Sequence, residues 1–142
     1  MRSDAVKDQR NQPLRILLVE DNEDDIVMLQ EAFAGVPLAP FATVRDGDEA
    51  LAYLRREGKY KDATLPGLIL LDIKMPKKNG FDVLLELKQD PKTVAIPVMV
   101  LTNLESAEDI DRALEAGATA YLVKTNYRLE EVMEKVKSLL GK

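Results

Sequence analysis

Leu68-Ile69-Leu70-Leu71-Asp72-Ile73-Lys74-Met75-Pro76 decides the fold. Four branched apolar residues run unbroken into an acid and a turn, as in a strand buried on both faces of a parallel sheet. The same pattern recurs in Ile16–Val19, which closes on Glu20-Asp21, in Val98–Leu101, which closes on Thr102, and in Tyr121–Val123, which closes on Lys124. In a parallel sheet every strand's carboxyl end reaches the same edge, and ligands bind there. Glu20, Asp21, Asp72, Thr102 and Lys124, far apart in the chain, are therefore expected in one crevice.

Strand-like and helix-like stretches alternate five times. Arg15–Val19 is the first strand. The helix Asn22–Ala34 places Ile26, Leu29 and Phe33 on one face and closes at Gly35 and Pro37. Phe41–Val44 is a weaker strand. Asp46 caps a helix with Ala50, Leu51 and Leu54 as its buried stripe, and Gly58 ends it. Lys59–Pro66 reads as a polar connection, and Leu68–Leu71, the most apolar strand, as central. Asn79–Gln89 is helical, carries Phe81, Leu84, Leu85 and Leu87 as its apolar residues, and stops before Pro91. Pro97–Leu101 is the fourth strand, Glu105–Ala116 the fourth helix, and Ala118–Val123 the fifth strand. A last helix, Leu129–Leu140, turns Leu129, Val132, Met133, Val136 and Leu140 inward. Right-handed crossovers make this an α/β, doubly wound, five-stranded parallel sheet with five helices, flavodoxin-like in strand order 2-1-3-4-5. Met1–Pro13 reads as an N-terminal tail, and residues 14–142 as one domain.

With 142 residues the chain has room for one ordinary core. The net charge of −5, with no basic stripe, excludes nucleic acid and anionic membrane surfaces as direct partners. Met1–Gln12 is polar and unlike a signal peptide, and the apolar runs are far too short to span a membrane. The chain has no Cys, which fits a cytoplasmic protein and removes disulfides and thiolate metal sites. It has no His either, which removes Ser-His and Cys-His catalysis and any phosphohistidine of its own.

Two unit charges about 4 Å apart repel by roughly 4 kcal/mol at an effective dielectric of about 20. Three clustered carboxylates therefore call for a cation. Hard oxygen ligands with room for water suit Mg²⁺, or Mn²⁺ in its place. Glu20 and Asp21 alone could equally be helix N-terminal acids, but no helix starts directly after Asp72. A carboxylate on that turn is exposed enough to attack phosphorus. Phosphoryl transfer then needs little beyond in-line positioning and charge neutralisation. Lys124 offers a compact ammonium and Thr102 a hydroxyl donor. Taken singly, such a Thr is ordinarily structural and such a Lys a solvated surface charge; their company is what counts.

These motifs resemble a receiver domain of bacterial two-component signalling, of the chemotaxis-receiver type, over Leu14–Lys142. The resemblance rests on residues 16–22 (Ile-Leu-Leu-Val-Glu-Asp-Asn), 46–51 (Asp-Gly-Asp-Glu-Ala-Leu), 68–80, 97–102 (Pro-Val-Met-Val-Leu-Thr) and 117–124 (Gly-Ala-Thr-Ala-Tyr-Leu-Val-Lys), in that order. It implies that Asp72 is the phosphoacceptor. Asp21 would ligate Mg²⁺ directly, with Glu20 acting through water and the Lys74 backbone carbonyl as a further ligand. Lys124 would pair with the phosphate, Thr102 would be the switch hydroxyl, and Tyr121 the aromatic that changes rotamer. The donor would be a sensor histidine kinase, and the responding surface the fourth helix, fifth strand and fifth helix, Glu105–Leu140. That surface is also where a homodimer would form. Self-phosphorylation and autodephosphorylation on Asp72 would make the chain a switch, not a conventional enzyme.

Two positions depart from the family pattern. Thr125 follows Lys124 where Pro is common, so no cis-proline step is expected there. Asn103 follows Thr102 where a small residue is usual, and its bulk narrows access to Asp72. Lys74 stands over the expected path of the hydrolytic water. No output domain follows the fifth helix, so a stand-alone receiver or an excised domain is expected. Leu54-Arg55-Arg56-Glu57-Gly58 and the following loop are similar to receivers that partner phytochrome-like kinases, and output would be protein contact or relay to a His-containing phosphotransfer protein. A flavin domain would need a phosphate loop where Glu-Asp-Asn-Glu-Asp-Asp (20–25) stands, and a nicotinamide enzyme would need Gly-x-Gly-x-x-Gly. A haloacid-dehalogenase-type phosphatase would need a second Asp at position 74. The remaining rival is a phosphorylation-independent binding module on the same fold.

Overall fold

The computed structural model describes residues 16–34, 41–75, 79–103 and 106–124, and beyond them 131, 134, 135 and 138. Five strands form one parallel sheet: β1 (Ile16–Val19), β2 (Phe41–Val44), β3 (Leu68–Leu71), β4 (Val98–Thr102) and β5 (Ala120–Val123). Their order is β2-β1-β3-β4-β5, so β3, the most apolar, is central as expected. Every residue of β1, β3 and β4 is buried. Successive side chains point to opposite faces. Leu17, Val19, Ile69, Leu71, Val98 and Val100 pack into one cluster with Leu51, Leu54, Phe81, Leu84 and Leu87. Ile16, Leu18, Leu68, Leu70 and Met99 are just as buried on the other side.

Four α-helices lie among the described residues: α1 (Glu23–Ala34), α2 (Gly47–Arg55), α3 (Gly80–Gln89) and α4 (Ala107–Glu115). Each starts on a capping side chain. Asn22, Asp46, Asn79 and Ser106 accept hydrogen bonds of 2.8–3.1 Å from the backbone N–H three residues on, at Asp25, Glu49, Asp82 and Asp109. Each such cap stabilises its helix by about 1 kcal/mol.

Some sequence expectations shift. α2 ends at Arg55, because Arg56 takes the left-handed conformation (φ 56°) that releases the chain two residues before Gly58. The connection after it contains a short 3-10 turn, Gly58–Tyr60, whose Tyr60 hydroxyl donates to Glu49 of α2. On α3, Leu85 is exposed and Val83 fills the core instead. The expected Leu129–Leu140 helix falls mostly outside the described residues; Glu131, Glu134, Lys135 and Ser138 are helical and exposed. The Met1–Pro13 tail, the closure at Gly35 and Pro37, and Thr125 also lie outside them, as does the Phe33 side chain.

At the amino-terminal pole of the sheet, Lys88 of α3 donates to the carbonyls of Val94 and Ile96, 3.0 and 2.9 Å away, just ahead of β4. Its stem fills the space beside Gly117, which has φ 113°; a Cβ there would meet Lys88 Cγ at 2.7 Å. Thr93, fully buried, donates to the Leu87 carbonyl at 2.8 Å and ties the same segment to α3.

Candidate functional site

Sheet register assembles the opposite pole. Val19 pairs with Leu71 and Leu71 with Val100, while Thr102 pairs with Val123. The next residues are Glu20, Asp72 and Lys124, so all leave the sheet at one edge. The ladder runs one step past the strands: Asp72 N–H donates to the Val19 carbonyl and Glu20 N–H to the Val44 carbonyl, both at 3.0 Å. Carboxylate oxygens of Glu20, Asp21 and Asp72 lie within 4.8 Å of one another. Glu20, Asp72 and Thr102 are buried, whereas Asp21 faces solvent. The Asp72 carboxylate is thus less exposed than its place ahead of a turn predicts, because the ends of β1 and β4 and the Lys124 side chain close around it. The pocket is thus walled by protein and open on Asp21's side.

Lys124 reaches into this group. Its Nζ donates to Glu20 Oε1 and Asp25 Oδ2, each at 2.6 Å, and lies 3.5 Å from Asp72 Oδ2. Asp25 was not singled out from the sequence, where it is one of three acids opening α1. Its tie to a lysine 99 positions later is a tertiary contact with no local signature. Burial, reinforced by the charge of Asp72, pushes the Glu20 carboxyl up to about 7 against the pull of Lys124. Burial alone would lower the Lys124 ammonium, but the bonds to Asp25 and Glu20 hold it above its ordinary value. Burial thus outweighs the Lys124 bond at Glu20, whereas at Lys124 the bonds to Asp25 and Glu20 outweigh burial.

The other expected residues are placed as follows. Lys74 and Asn103 are both exposed, on the turns that follow Asp72 and Thr102. Tyr121, on β5 opposite Val100, is half-buried; burial and the charges of Asp109 and Asp72 push its phenol up to about 12. At the base of α3 the backbone of Gly80 closes on the site. Its N–H donates to the Ile73 carbonyl at 2.8 Å, and an added Cβ would lie 2.4 Å from the Asp72 carbonyl oxygen.

Among the described residues, Asp72 Oδ1 and Thr102 Oγ1 are buried without a hydrogen-bond partner. An unmet buried polar atom costs about 1–3 kcal/mol. The acid cluster beside them is the donor set that a hard divalent ion takes. The residues present fit such an ion, with Asp21, Asp72 and Glu20 to hold it.

Comparison with known proteins agrees. The chain is 36% identical over 135 residues to the response regulator Rcp1 of a Synechocystis species, covering 94% of this chain and 91% of that one. Among solved structures it is similar to the phosphorylated cyanobacterial phytochrome response regulator RcpA, at 44% identity and a TM-score of 0.79, over 89% of this chain and 91% of that one. The Mn²⁺-bound form of Rcp1 gives 37% identity and the same TM-score, again over 89% and 91% of the two chains. Residues 16–137 match the response regulator receiver domain family, and the chain belongs to that family.

Proposed function

We propose that the chain accepts a phosphoryl group on Asp72 from the phosphohistidine of a sensor kinase, with Mg²⁺ as cofactor. The observation that carries this reading is the pair of buried, partnerless oxygens on Asp72 and Thr102, set beside a lysine and an acid cluster. An Asp72 carboxylate oxygen attacks phosphorus, and the O–P bond forms as the donor's N–P bond breaks. The N–P electron pair stays on the imidazole, which leaves neutral because its other ring nitrogen already carries a proton. When bound, Mg²⁺ supplies charge neutralisation to the phosphoryl oxygens. Lys124 pairs with a second phosphoryl oxygen and Thr102 donates to a third. Movement of Thr102 toward the group frees space for Tyr121, which carries the change to α4, β5 and the helix beyond. Water later hydrolyses the acyl phosphate, so the chain resets itself without being a conventional enzyme. The likeness to RcpA supports a phytochrome-like kinase as donor. Relay to a His-containing phosphotransfer protein, a homodimer through α4, β5 and the last helix, a cytoplasmic setting and a receiver domain over residues 14–142 complete the reading.

The test is incubation with Mg²⁺ and acetyl phosphate or beryllofluoride. Mass spectrometry should show one added phosphoryl group, absent in Asp72→Asn and abolished by a chelator. A protein that stays unmodified and gives no Asp72-dependent beryllofluoride signal would be a binding module instead.

Lys74 stands two residues after Asp72 and projects into solvent, where it shields the acyl phosphate from water. Lys74→Ala should shorten the phosphoryl lifetime severalfold in a decay assay. Equal or slower decay would remove that role.

Ion binding should also move a proton. Glu20 ionises near 7 in the metal-free protein, so below that pH it is mostly protonated, and a cation favours its charged form. Divalent affinity is therefore expected to fall as pH drops below 7, approaching about tenfold per unit, with about one proton released per ion near pH 6. Calorimetry in two buffers of different ionisation heat measures this. An affinity flat from about pH 5.5 to 8 would contradict it.

A further inference from the structure

We infer that Asp25 is a positioning residue for phosphoryl transfer: it keeps hold of Lys124 when a divalent ion claims Glu20, so that the ammonium stays aimed at Asp72. The inference rests on the phosphoryl-accepting reading above. An ammonium has three donors. Two go to Glu20 and Asp25, and the remaining approach is to Asp72 Oδ2 at 3.5 Å. Glu20 belongs to the acid cluster that fits an ion, whereas Asp25 lies outside that cluster. An arriving ion therefore competes with Lys124 for Glu20 and leaves the bond to Asp25 intact. Without Asp25, Lys124 would cling to Glu20 alone, opposing the ion, or swing free of the site once the ion bound.

The local structure suits this task. Asp25 sits on the first turn of α1, and its own N–H is held by Asn22 Oδ1 at 3.0 Å. The Asn22 N–H in turn donates to Glu20 Oε2 at 3.1 Å. The cap of α1 thus fixes Asp25 relative to Glu20, and its partly buried carboxylate meets a lysine side chain only 13% exposed. Charge-assisted bonds of this length are the strong ones. Arg45 pairs with Glu23 on the same turn, so Glu23 has a cation of its own and does not compete for Lys124.

A double-mutant cycle between Asp25→Asn and Lys124→Met tests the inference. It is read by calorimetric Mg²⁺ affinity with no phosphodonor present, and separately by beryllofluoride affinity from ¹⁹F NMR. Asp25→Asn should weaken both by roughly tenfold when Lys124 is present, the scale of one charge-assisted hydrogen bond. In the Lys124→Met background the same change should cost less than about twofold. Asp25→Glu, which keeps the charge, should recover most of the loss. A residue that only starts a helix would lower the melting temperature equally in both backgrounds and leave the affinities alone, and that result would overturn the inference. Loss of Asp72-dependent beryllofluoride binding in the wild type would sink the functional reading while the Mg²⁺ cycle still decides Asp25. A wild type that binds no Mg²⁺ would end both.

Discussion

Gly80→Ala is expected to lower the unfolding free energy by about 2–3 kcal/mol and to slow phosphoryl acceptance by about a hundredfold. Two effects compete. Alanine is the better helix former, worth up to about 1 kcal/mol inside a helix. Against it stands a Cβ placed 2.4 Å from the Asp72 carbonyl oxygen and 2.7 Å from Ile73 Cα. Both obstacles are backbone, so relief requires moving α3 or the Asp72–Ile73 peptide. Ile73 is itself fully buried, and the Asp72 N–H is committed to Val19, so neither yields cheaply. The clash should win. Chemical denaturation reads the stability, and the initial rate with acetyl phosphate reads the geometry. A variant as stable as wild type and within twofold of its rate would show that α3 shifts freely.

Lys124→Met should remove about 3 kcal/mol from the metal-free protein near pH 8, because a buried acid pair loses its counter-ion. The loss has a direction in pH. The Glu20 carboxyl is raised above its unfolded value of 4.5, so its ionisation opposes folding as pH rises through about 7. Without Lys124 that opposition grows, and the gap between variant and wild type should close toward about pH 5, where Glu20 is neutral. Mg²⁺ should also restore stability, and it should bind the variant more tightly because no ammonium competes for Glu20. Phosphoryl acceptance should nevertheless fall steeply, since Lys124 Nζ lies 3.5 Å from Asp72 Oδ2. Thermal melts across pH, with and without Mg²⁺, check each part; a penalty that ignores both pH and metal would disprove the shared-cation account.

The sheet was legible because a strand buried on both sides must be apolar throughout, and Ile16–Val19 and Leu68–Leu71 emerge at the expected positions. Parallel register then carries Glu20, Asp72, Thr102 and Lys124 to one edge with no further information. Less legible were contacts set by tertiary packing. Asp25 looks like any acid in a first turn, and Tyr60 like any loop aromatic, until the fold brings Lys124 and Glu49 to them. The end of α2 was misplaced for a related reason. A glycine advertises a left-handed residue, but Arg56 adopts that conformation because the N–H groups of Arg56 and Glu57 bond back to Tyr53 and Ala52. Leu85 misled by composition, since a leucine beside the buried Leu84 still points outward when the helical angle requires it.

The lysine plug at the amino-terminal pole has a consequence for how a signal can travel. Lys88 and Thr93 fasten the approach to β4 onto α3, and Gly117 leaves no slack beside them. That end of the molecule is an anvil. Any rearrangement started by charge at Asp72 must spend itself at the other end, along the upper rims of β4 and β5, and not dissipate through the whole body. Amide hydrogen exchange should accordingly divide the domain into a quiet half and a responsive half, with the boundary crossing β4 between Val98 and Thr102.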